Sequence, residues 1–188
     1  MSFPVVISSP SGGGKSTVAD ALVAELPFLT RSRSCTTRVP RGGEENGVDY
    51  DFILKAAFDE KRDAGGFIEW AKVHGNNYGT PREFVESEMA AGRNPLLIID
   101  VQGAFQVRKQ MPQTLLIFLM PPSLEELERR LAERDGEGED MKERLGNARG
   151  EIAEAVKYDY IVVNDRLDHA VAQVREILES ERAKRLRA

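Results

Sequence analysis

Short apolar runs alternate with helical patterns along most of the chain. Four runs rich in Val, Ile and Leu are continuously apolar, which is typical of strands buried on both faces of a sheet. They lie at 3–8, 95–100, 114–119 and 160–163. A helical pattern follows each of them, at about 15–25, 101–111, 123–134 and 166–187. This order predicts an α/β fold with a mainly parallel sheet, and a further strand near 29–34 fits the same sheet.

Two stretches interrupt this alternation. Residues 35–83 are rich in turns, with short strand candidates at Asp49–Phe52 and Phe67–Val73 and one helix near 56–64, which predicts an inserted subdomain. Residues 135–140 form an acidic run with two glycines between two charged helices. A flexible loop between helices that carry arginines predicts a lid over a ligand site; the alternative is a solvated surface loop.

The first apolar run leads into a glycine-rich loop at the start of the first predicted helix. Its residues are Ser11, Gly12, Gly13, Gly14, Lys15, Ser16 and Thr17. In such a loop the backbone N–H groups and the helix N-terminus bind phosphates, the lysine neutralises them, and the hydroxyl holds Mg²⁺. Ser9 stands where the usual pattern has Gly, so a glycine-rich turn with an incidental lysine is the alternative. The strand before and the helix after favour the phosphate loop.

Composition narrows the class of protein. The 188 residues, 41% apolar and 30% charged, suit one globular domain or a core with small insertions. A formal net charge of −5 argues against general nucleic-acid binding, and no apolar run is long enough to cross a membrane. A signal-peptide pattern is not seen, and the single cysteine, Cys35, excludes an internal disulfide. We therefore expect a cytoplasmic protein that binds neither nucleic acid nor membrane.

A second candidate anion site follows the first two strands. Arg38 and Arg41 lie in a loop stiffened by a proline, and fixed guanidinium groups suit a phosphate monoester. Tyr50 and Tyr78 can donate to the same phosphate. Glu69 lies among apolar residues, where a carboxylate needs a partner or a ligand, and a structural role is its alternative.

These motifs resemble those of one family in their order and spacing. Residues 34–50, SCTTRVPRGGEENGVDY, are similar to the GMP-binding signature of the guanylate kinases. The resemblance continues through FIEW (67–70), YGT (78–80), IIDVQG (98–103), PPS (121–123), RLAER (130–134) and IVVND (161–165). It covers essentially the whole chain, and many bacterial members carry a small residue at the position of Ser9.

The resemblance implies transfer of a phosphoryl group from ATP to GMP, and to dGMP, with Mg²⁺ as cofactor. It implies a P-loop NTPase-type three-layer core at about 1–33, 84–123 and 156–188. A GMP-binding subdomain at about 34–83 and a helical lid at about 124–155 complete the implied fold. Monomer and homodimer both remain open.

The resemblance also implies roles for individual residues. Those implied for ATP are Ser11, Gly12, Gly13, Gly14, Lys15, Ser16, Thr17 and Asn164, the last contacting adenine. Those implied for GMP are Ser34, Arg38, Arg41, Tyr50, Glu69, Tyr78, Thr80 and Asp100. The implied catalytic group is Lys15, Arg38, Arg134 and Arg144, with both latter arginines closing from the lid. Ser16 would ligate Mg²⁺, and Asp100 would serve either the water shell of the metal or the guanine; the role of Arg149 is left open.

The chemistry of guanine agrees with these roles. Its N1–H and N2–H₂ are adjacent donors that one carboxylate, that of Glu69, can accept together. Adenine has an acceptor at N1 and no N2 amine, so a buried carboxylate would be left unpaired. The attacking GMP oxygen is already anionic, so catalysis needs positioning and charge stabilisation rather than a general base.

Two other functions compete with this interpretation. A guanylate-kinase-like interaction module would keep the fold without catalysis, but such modules commonly lose parts of the ATP loop, which is intact in this chain. A related kinase could act on a sugar phosphate or another nucleoside monophosphate. Ser34, Glu69 and Tyr78 together disfavour that acceptor.

Overall fold

The computed structural model describes residues 2–73, 75–135 and 139–187, with side chains for all of these except 134, 135 and 139–143. The strands are β1 Val5–Ser8, β2 Leu29–Arg31, β3 Cys35–Thr36, β4 Asp51–Phe52, β5 Phe67–Val73, β6 Asn76–Pro81, β7 Asn94–Ile98, β8 Leu115–Met120 and β9 Tyr160–Val163. The helices are α1 Lys15–Glu25, α2 Lys55–Asp63, α3 Arg82–Ala90, α4 Val101–Gln110, α5 Leu124–Asp135, α6 Glu139–Ala153 and α7 Leu167–Arg187. A short 3-10 helix lies at Glu154–Lys157.

A five-stranded sheet forms the centre of the fold, in the order β2-β7-β1-β8-β9, with every neighbouring pair parallel. Val6 of β1 lies opposite Leu97 on one side and Leu116 on the other, and all three are buried. Helices α1 and α7 pack on one face, and α3, α4 and the 3-10 helix pack on the other. Burying one such side chain contributes about 2 kcal/mol. The predicted α/β fold with a mainly parallel sheet is confirmed.

The prediction that the run at 160–163 is buried on both faces is wrong. Ile161 and Val163 are 48% and 45% exposed, whereas Val162 between them is 2% exposed. β9 is the last strand in the order of the sheet and pairs with β8 on one side. Val162 packs into the core shared with α7, so alternate side chains face outward.

Residues 35–81 form a second sheet, in the order β4-β3-β6-β5. β3 and β4 are parallel, and the other two pairs are antiparallel. This sheet has a small core of its own in which Cys35, Phe58 and Phe67 are buried, with the two rings stacked at 4.6 Å. The predicted strands near 49–52 and 67–73 and the helix near 56–64 are present as β4, β5 and α2.

The sequence analysis did not predict β3, β6 or the helix α3 that follows β6. β3 has two residues, which is too short to show a pattern, and β6 contains Asn, Gly and Pro, which disfavour strands. Both are strands because β6 pairs with neighbours on its two sides. Helix α3 has a single fully buried position, Val85, so its apolar stripe is weak.

Helices α5 and α6 pack against each other through Leu127 and Leu131 on one side and Leu145 and Ala148 on the other. Within the predicted lid loop at 135–140, residues 136–138 lie outside the described residues. Among the helices of the described ranges, none combines the length and the apolar character that crossing a membrane requires.

Candidate active site

The loop between β1 and α1 curls around the start of the helix. The N–H of Gly13 donates to the carbonyl of Pro10 at 2.9 Å, and Gly14 has a left-handed φ of 85° directly before α1. Nζ of Lys15 donates to the carbonyl of Ser9 at 2.5 Å, so the ammonium lies over the loop at the carboxyl end of β1. A helix N-terminus presents unpaired N–H groups and partial positive charge. Loop, helix and lysine therefore form a cradle for phosphate.

Ser9, the departure from the usual loop pattern, packs directly against Gly13. Ser9 is 2% exposed, and a Cβ at Gly13 would lie 2.4 Å from its Oγ. The same Oγ accepts from Nζ of Lys15 at 3.3 Å. Ser9 therefore helps to set both the path of the loop and the place of the lysine.

Asn164, directly after β9, supports the loop from the other side. It is 6% exposed, and its Nδ2 donates to the carbonyl of Gly13 at 2.9 Å. A Cβ at Gly14 would lie 2.5 Å from the same Nδ2. This contact ties the end of β9 to the phosphate loop. The implied contact of Asn164 with adenine stays a prediction.

Arg38 is held as a fixed cation. Its Nη1 and Nη2 donate to the two carboxylate oxygens of Glu44 at 2.9 and 2.8 Å, and its Nε donates to the hydroxyl of Tyr78 at 3.0 Å. The ring centroid of Tyr50 lies 5.6 Å from the guanidinium carbon. The hydrogen bonds between Arg38 and Glu44 raise the pKa of the arginine and lower the pKa of the carboxyl. Both groups are therefore charged, and the guanidinium is preorganised.

Two residues of the site were missed by sequence reasoning. Glu44 also accepts from the N–H of Arg41 at 2.7 Å, within a turn in which its own N–H donates to the carbonyl of Arg41 at 3.0 Å. A carboxylate three residues after an arginine in a Gly-Gly turn was the available signal. Glu151 of α6 lines the cleft described below, and burial raises its pKa. It stands in a charged helix where no pattern sets it apart.

Glu69 is a buried carboxylate, 4% exposed, on β5. The register between β5 and β6 shifts between Phe67 and Glu69, and such a bulge redirects side chains. Oε1 of Glu69 accepts from the N–H of Thr80 at 3.0 Å and from its hydroxyl at 2.6 Å. Gly103 of α4 lies behind the carboxylate, since a Cβ there would be 2.7 Å from Oε2.

The surroundings of Glu69 disfavour its charge. Burial raises its pKa to about 7, and the negative charge of Asp100 adds to this effect, while the hydrogen bond from Thr80 opposes it. A strongly perturbed carboxyl in a cleft is a common feature of functional sites.

Asp100 lies between the two candidate anion sites. It caps α4, with Oδ1 accepting from the N–H of Gly103 at 2.8 Å, and it lines the same cleft as Lys15. Within the part of the chain that the structure describes, no three or more His, Cys, Asp or Glu side chains are grouped to hold a metal. Mg²⁺ usually combines one or two protein oxygens with phosphates and water, so the hydroxyl of Ser16 and the carboxylate of Asp100 fit a Mg²⁺ that arrives with a nucleotide.

One cleft of about 650 Å³ joins the phosphate loop to the acceptor residues. The predicted site residues on its lining are Ser11, Lys15, Ser34, Arg41, Tyr50, Glu69, Tyr78, Asp100 and Arg144. Arg38 and Thr80 donate to Tyr78 and Glu69 of this lining. The side chain of Arg134 lies outside the described residues, and its role stays a prediction.

A glycine-rich loop of this kind after the middle strand of a parallel sheet, with Lys15 on a cleft that Arg41 and Tyr50 also line, defines a P-loop nucleotide-binding protein. The family model for guanylate kinase matches residues 1–181. The chain belongs to the guanylate kinase family, which confirms the resemblance seen in its motifs.

Individual relatives agree with the family model. The guanylate kinase of Symbiobacterium thermophilum is 46% identical over 184 residues, covering 97% of this chain and 87% of the relative. That of Cutibacterium acnes is 50% identical over 175 residues, covering 92% and 88%. The crystal structure of guanylate kinase from Anaplasma phagocytophilum matches with a TM-score of 0.81 at 36% identity, covering 96% of this chain and 86% of the other.

Proposed function

We propose that this protein transfers the γ-phosphoryl group of ATP to GMP, giving ADP and GDP, and that it also accepts dGMP. The observation that carries the proposal is the buried carboxylate of Glu69 on the same cleft as the phosphate-loop lysine, Lys15. Membership of the guanylate kinase family supports the same activity.

Glu69 would read the guanine base. Thr80 fixes Oε1 of its carboxylate by two hydrogen bonds, which sets the orientation of the group toward the cleft. N1–H and N2–H₂ of guanine would supply the donors that a buried carboxylate needs. Ser34, on the same lining, would add a hydroxyl to the base site. Adenine would leave the carboxylate unpaired, and such a loss makes a polar site selective.

The opposite end of the acceptor site would hold the GMP phosphate. Arg38 and Arg41 would supply charge, and the hydroxyls of Tyr50 and Tyr78 would supply donors. The two phenol rings lie 6.0 Å apart beside Arg38, so the four groups can converge on one phosphate. Glu44 keeps Arg38 in place before the substrate arrives.

In the transfer step an oxygen of the GMP phosphate attacks the γ-phosphorus of ATP. The new P–O bond forms while the bond from the γ-phosphorus to the β–γ bridging oxygen breaks, and that oxygen leaves with its electron pair as part of ADP. Lys15 would neutralise charge on the transferred group, together with Arg144 and Arg134 from α6 and α5. The hydroxyl of Ser16 would hold Mg²⁺, and Asp100 would serve either the water shell of the metal or the guanine; the metal would supply further neutralisation of phosphate charge.

We also propose a division of labour along the chain. Residues 34–83 would bind the acceptor, since they form a sheet with its own small core. Residues 124–155 would act as the lid over the donor, since a Cβ at Gly12 would lie 3.1 Å from Cδ2 of Leu131 on α5. The remaining residues, about 1–33, 84–123 and 156–188, would form the nucleotide-binding core.

A coupled ADP-release assay with Mg-ATP and GMP, dGMP, AMP, CMP or UMP tests the proposed function. We expect kcat/KM for GMP to exceed that for AMP by about 10⁴-fold, because the wrong base leaves a buried polar group unpaired. Turnover that prefers AMP or a pyrimidine nucleotide would contradict the substrate. GMP binding without ADP release would favour an interaction module.

The variant Glu69→Ala tests the role of the base reader. Its KM for GMP should rise at least tenfold while its KM for ATP stays within about twofold, because the carboxylate meets only the acceptor. Glu176→Ala, at an exposed glutamate of α7, is the matched control. An unchanged KM for GMP would remove Glu69 from the base site.

We propose that the enzyme is located in the cytoplasm. The buried free thiol of Cys35 supports this, because a free thiol suits a reducing compartment. Light scattering on the purified protein will distinguish a monomer from a homodimer.

A further inference from the structure

The strand that carries Glu69, β5, is an edge strand. β5 is the last strand in the order of the second sheet and pairs with β6 on one side. Backbone groups on the other side of an edge strand need partners from elsewhere. Here the partners are side chains of α4, a helix of the main core.

Two glutamines of α4 bind this edge. Gln106 exchanges two hydrogen bonds with Trp70: its Oε1 accepts from the N–H of Trp70 at 3.2 Å, and its Nε2 donates to the carbonyl of Trp70 at 2.9 Å. Nε2 of Gln110 donates to the carbonyl of Ile68 at 2.6 Å. The amide groups therefore take the place of a neighbouring strand.

These contacts flank Glu69 directly, because Ile68 and Trp70 are its neighbours in the chain. Gly103, Gln106 and Gln110 lie on one face of α4, because they are three and four positions apart along the helix. Gly103 lies behind the Glu69 carboxylate, where any Cβ would come within 2.7 Å of Oε2. One face of α4 thus holds the backbone of Glu69 and leaves room for its side chain.

The same helix is anchored to the phosphate side of the cleft. α4 begins directly after Asp100, whose side chain caps it. Val101, Ala104 and Val107 pack α4 onto the main sheet, which also carries the phosphate loop at the end of β1. α4 therefore connects the strand of Glu69 to the sheet that carries the loop, alongside the packing of Ile68 in the core of that sheet.

We propose that Gln106 and Gln110 are positioning residues that hold Glu69 in register with the phosphate loop and thereby set the preference for guanine. The inference rests on the proposed function, in which Glu69 reads the base. Because both glutamines act through the backbone of β5, their effect falls on the acceptor nucleotide and not on ATP.

The test uses Gln106→Met and Gln110→Met, which keep chain length and remove the amide. For Gln106→Met we expect KM for GMP to rise about tenfold, since two hydrogen bonds beside Glu69 are lost, with KM for ATP within about twofold. The ratio of kcat/KM for GMP to that for AMP should fall by a similar factor. Gln173→Met, at an exposed glutamine of α7 on the opposite face of the main sheet, should change neither.

A double variant separates positioning from a general structural effect. In a Glu69→Ala background, adding Gln106→Met should leave KM for GMP unchanged, because the residue through which Gln106 acts is already gone. Gln106→Asn keeps the amide on a shorter chain and should show the same effect to a smaller degree. It carries the test if Gln106→Met does not fold.

Four outcomes distinguish these possibilities. A selective loss for GMP that disappears in the Glu69→Ala background supports the inference. Equal losses for GMP and ATP with a lowered Tm would overturn it, because they show only a structural role. A normal KM for GMP in the glutamine variants, alongside a raised KM in Glu69→Ala, would overturn this inference and leave the proposed function standing. If Glu69→Ala itself binds GMP normally, the proposed function fails first.

Discussion

Glu69 is held where its own charge is unfavourable until a ligand arrives. The carboxylate is 4% exposed, and the donors around it come from Thr80 on one oxygen. A base with two adjacent donors supplies the hydrogen bonds that the buried carboxylate needs, and a base without them does not. Selectivity therefore follows from the energetic penalty of an incompletely paired carboxylate.

The burial of Glu69 makes the stability of the protein depend on pH. Since the pKa of Glu69 is about 7 in the folded chain and near its ordinary value when unfolded, the folded state holds the proton more tightly. Its contribution to the free energy of unfolding is therefore fully present below about pH 4.5 and is lost as pH rises through about 7. The loss over this range amounts to about 3 kcal/mol. Urea unfolding at pH 5 and pH 8 should show that Glu69→Gln loses less stability across this range than the wild type.

The same titration predicts a pH dependence of GMP binding. Only the ionised carboxylate accepts both guanine donors, so GMP affinity should fall about tenfold between pH 8.5 and pH 6 through Glu69. The GMP phosphate also gains a proton near pH 6, so Glu69→Gln serves as the control that keeps this second effect. Parallel calorimetric profiles for the two proteins would contradict the assignment.

Lys15 yields a prediction about catalysis. Lys15→Ala should abolish measurable phosphoryl transfer, because the charge that builds on the transferred group loses its neutralising partner. GMP binding, measured by calorimetry without ATP, should stay within about twofold, since GMP is proposed to bind the opposite wall of the cleft. Equal loss of both would mean that the donor and acceptor sites are not separate.

At the scale of elements, the phosphate loop depends on what packs behind it. Gly14 has a left-handed φ of +85°, and a Cβ added to it would lie 2.5 Å from Nδ2 of Asn164. Both the backbone conformation and the lack of space therefore disfavour any other residue there. Gly92, after α3, has a φ of +77° with open space around it. The two glycines have similar φ values and different surroundings.

This difference gives a matched pair of variants. Gly92→Ala should lower stability by about 1 kcal/mol through backbone strain alone. Gly14→Ala should lower it further and raise KM for ATP, because Asn164 and the end of β9 must move away from the loop. Thermal unfolding and ATP kinetics on both variants check this, and equal effects would show that Asn164 does not restrict the loop.

At the scale of the whole molecule, the acceptor sheet has a small core of its own, and its strand β5 also packs Ile68 into the core of the main sheet. Phe58 is fully buried with Cys35 and Phe67 beneath the second sheet, while Leu178 of α7 belongs to the core of the main sheet. The glutamines of α4 hold the same strand through its backbone.

Phe58→Ala should therefore damage the two nucleotide sites unequally. Loss of this ring should destabilise its sheet by about 3 kcal/mol and raise KM for GMP more than KM for ATP. Leu178→Ala, a large-to-small change in the main core, should lower Tm without favouring either substrate. Equal effects of Phe58→Ala on GMP and ATP would show that the sheets do not respond separately.

The sequence by itself determined the parallel main sheet, the phosphate loop and a group of polar residues that line the cleft. Continuous apolar runs are a local property of buried parallel strands, and the loop is a contiguous motif, so neither depends on distant contacts. The acceptor residues were recognised through their order along the chain, and the structure brings Ser34, Arg41, Tyr50, Glu69 and Tyr78 onto one cleft.

Only the tertiary structure decided which residues support these groups. β6 is a strand despite its Asn, Gly and Pro because it pairs on both sides, and β9 has an exposed face because it lies at a sheet edge. Asn164 and Gln106 act on partners that lie far from them along the chain. Their roles depend on distances and burial, which arise when separate segments pack together, and no local pattern records them.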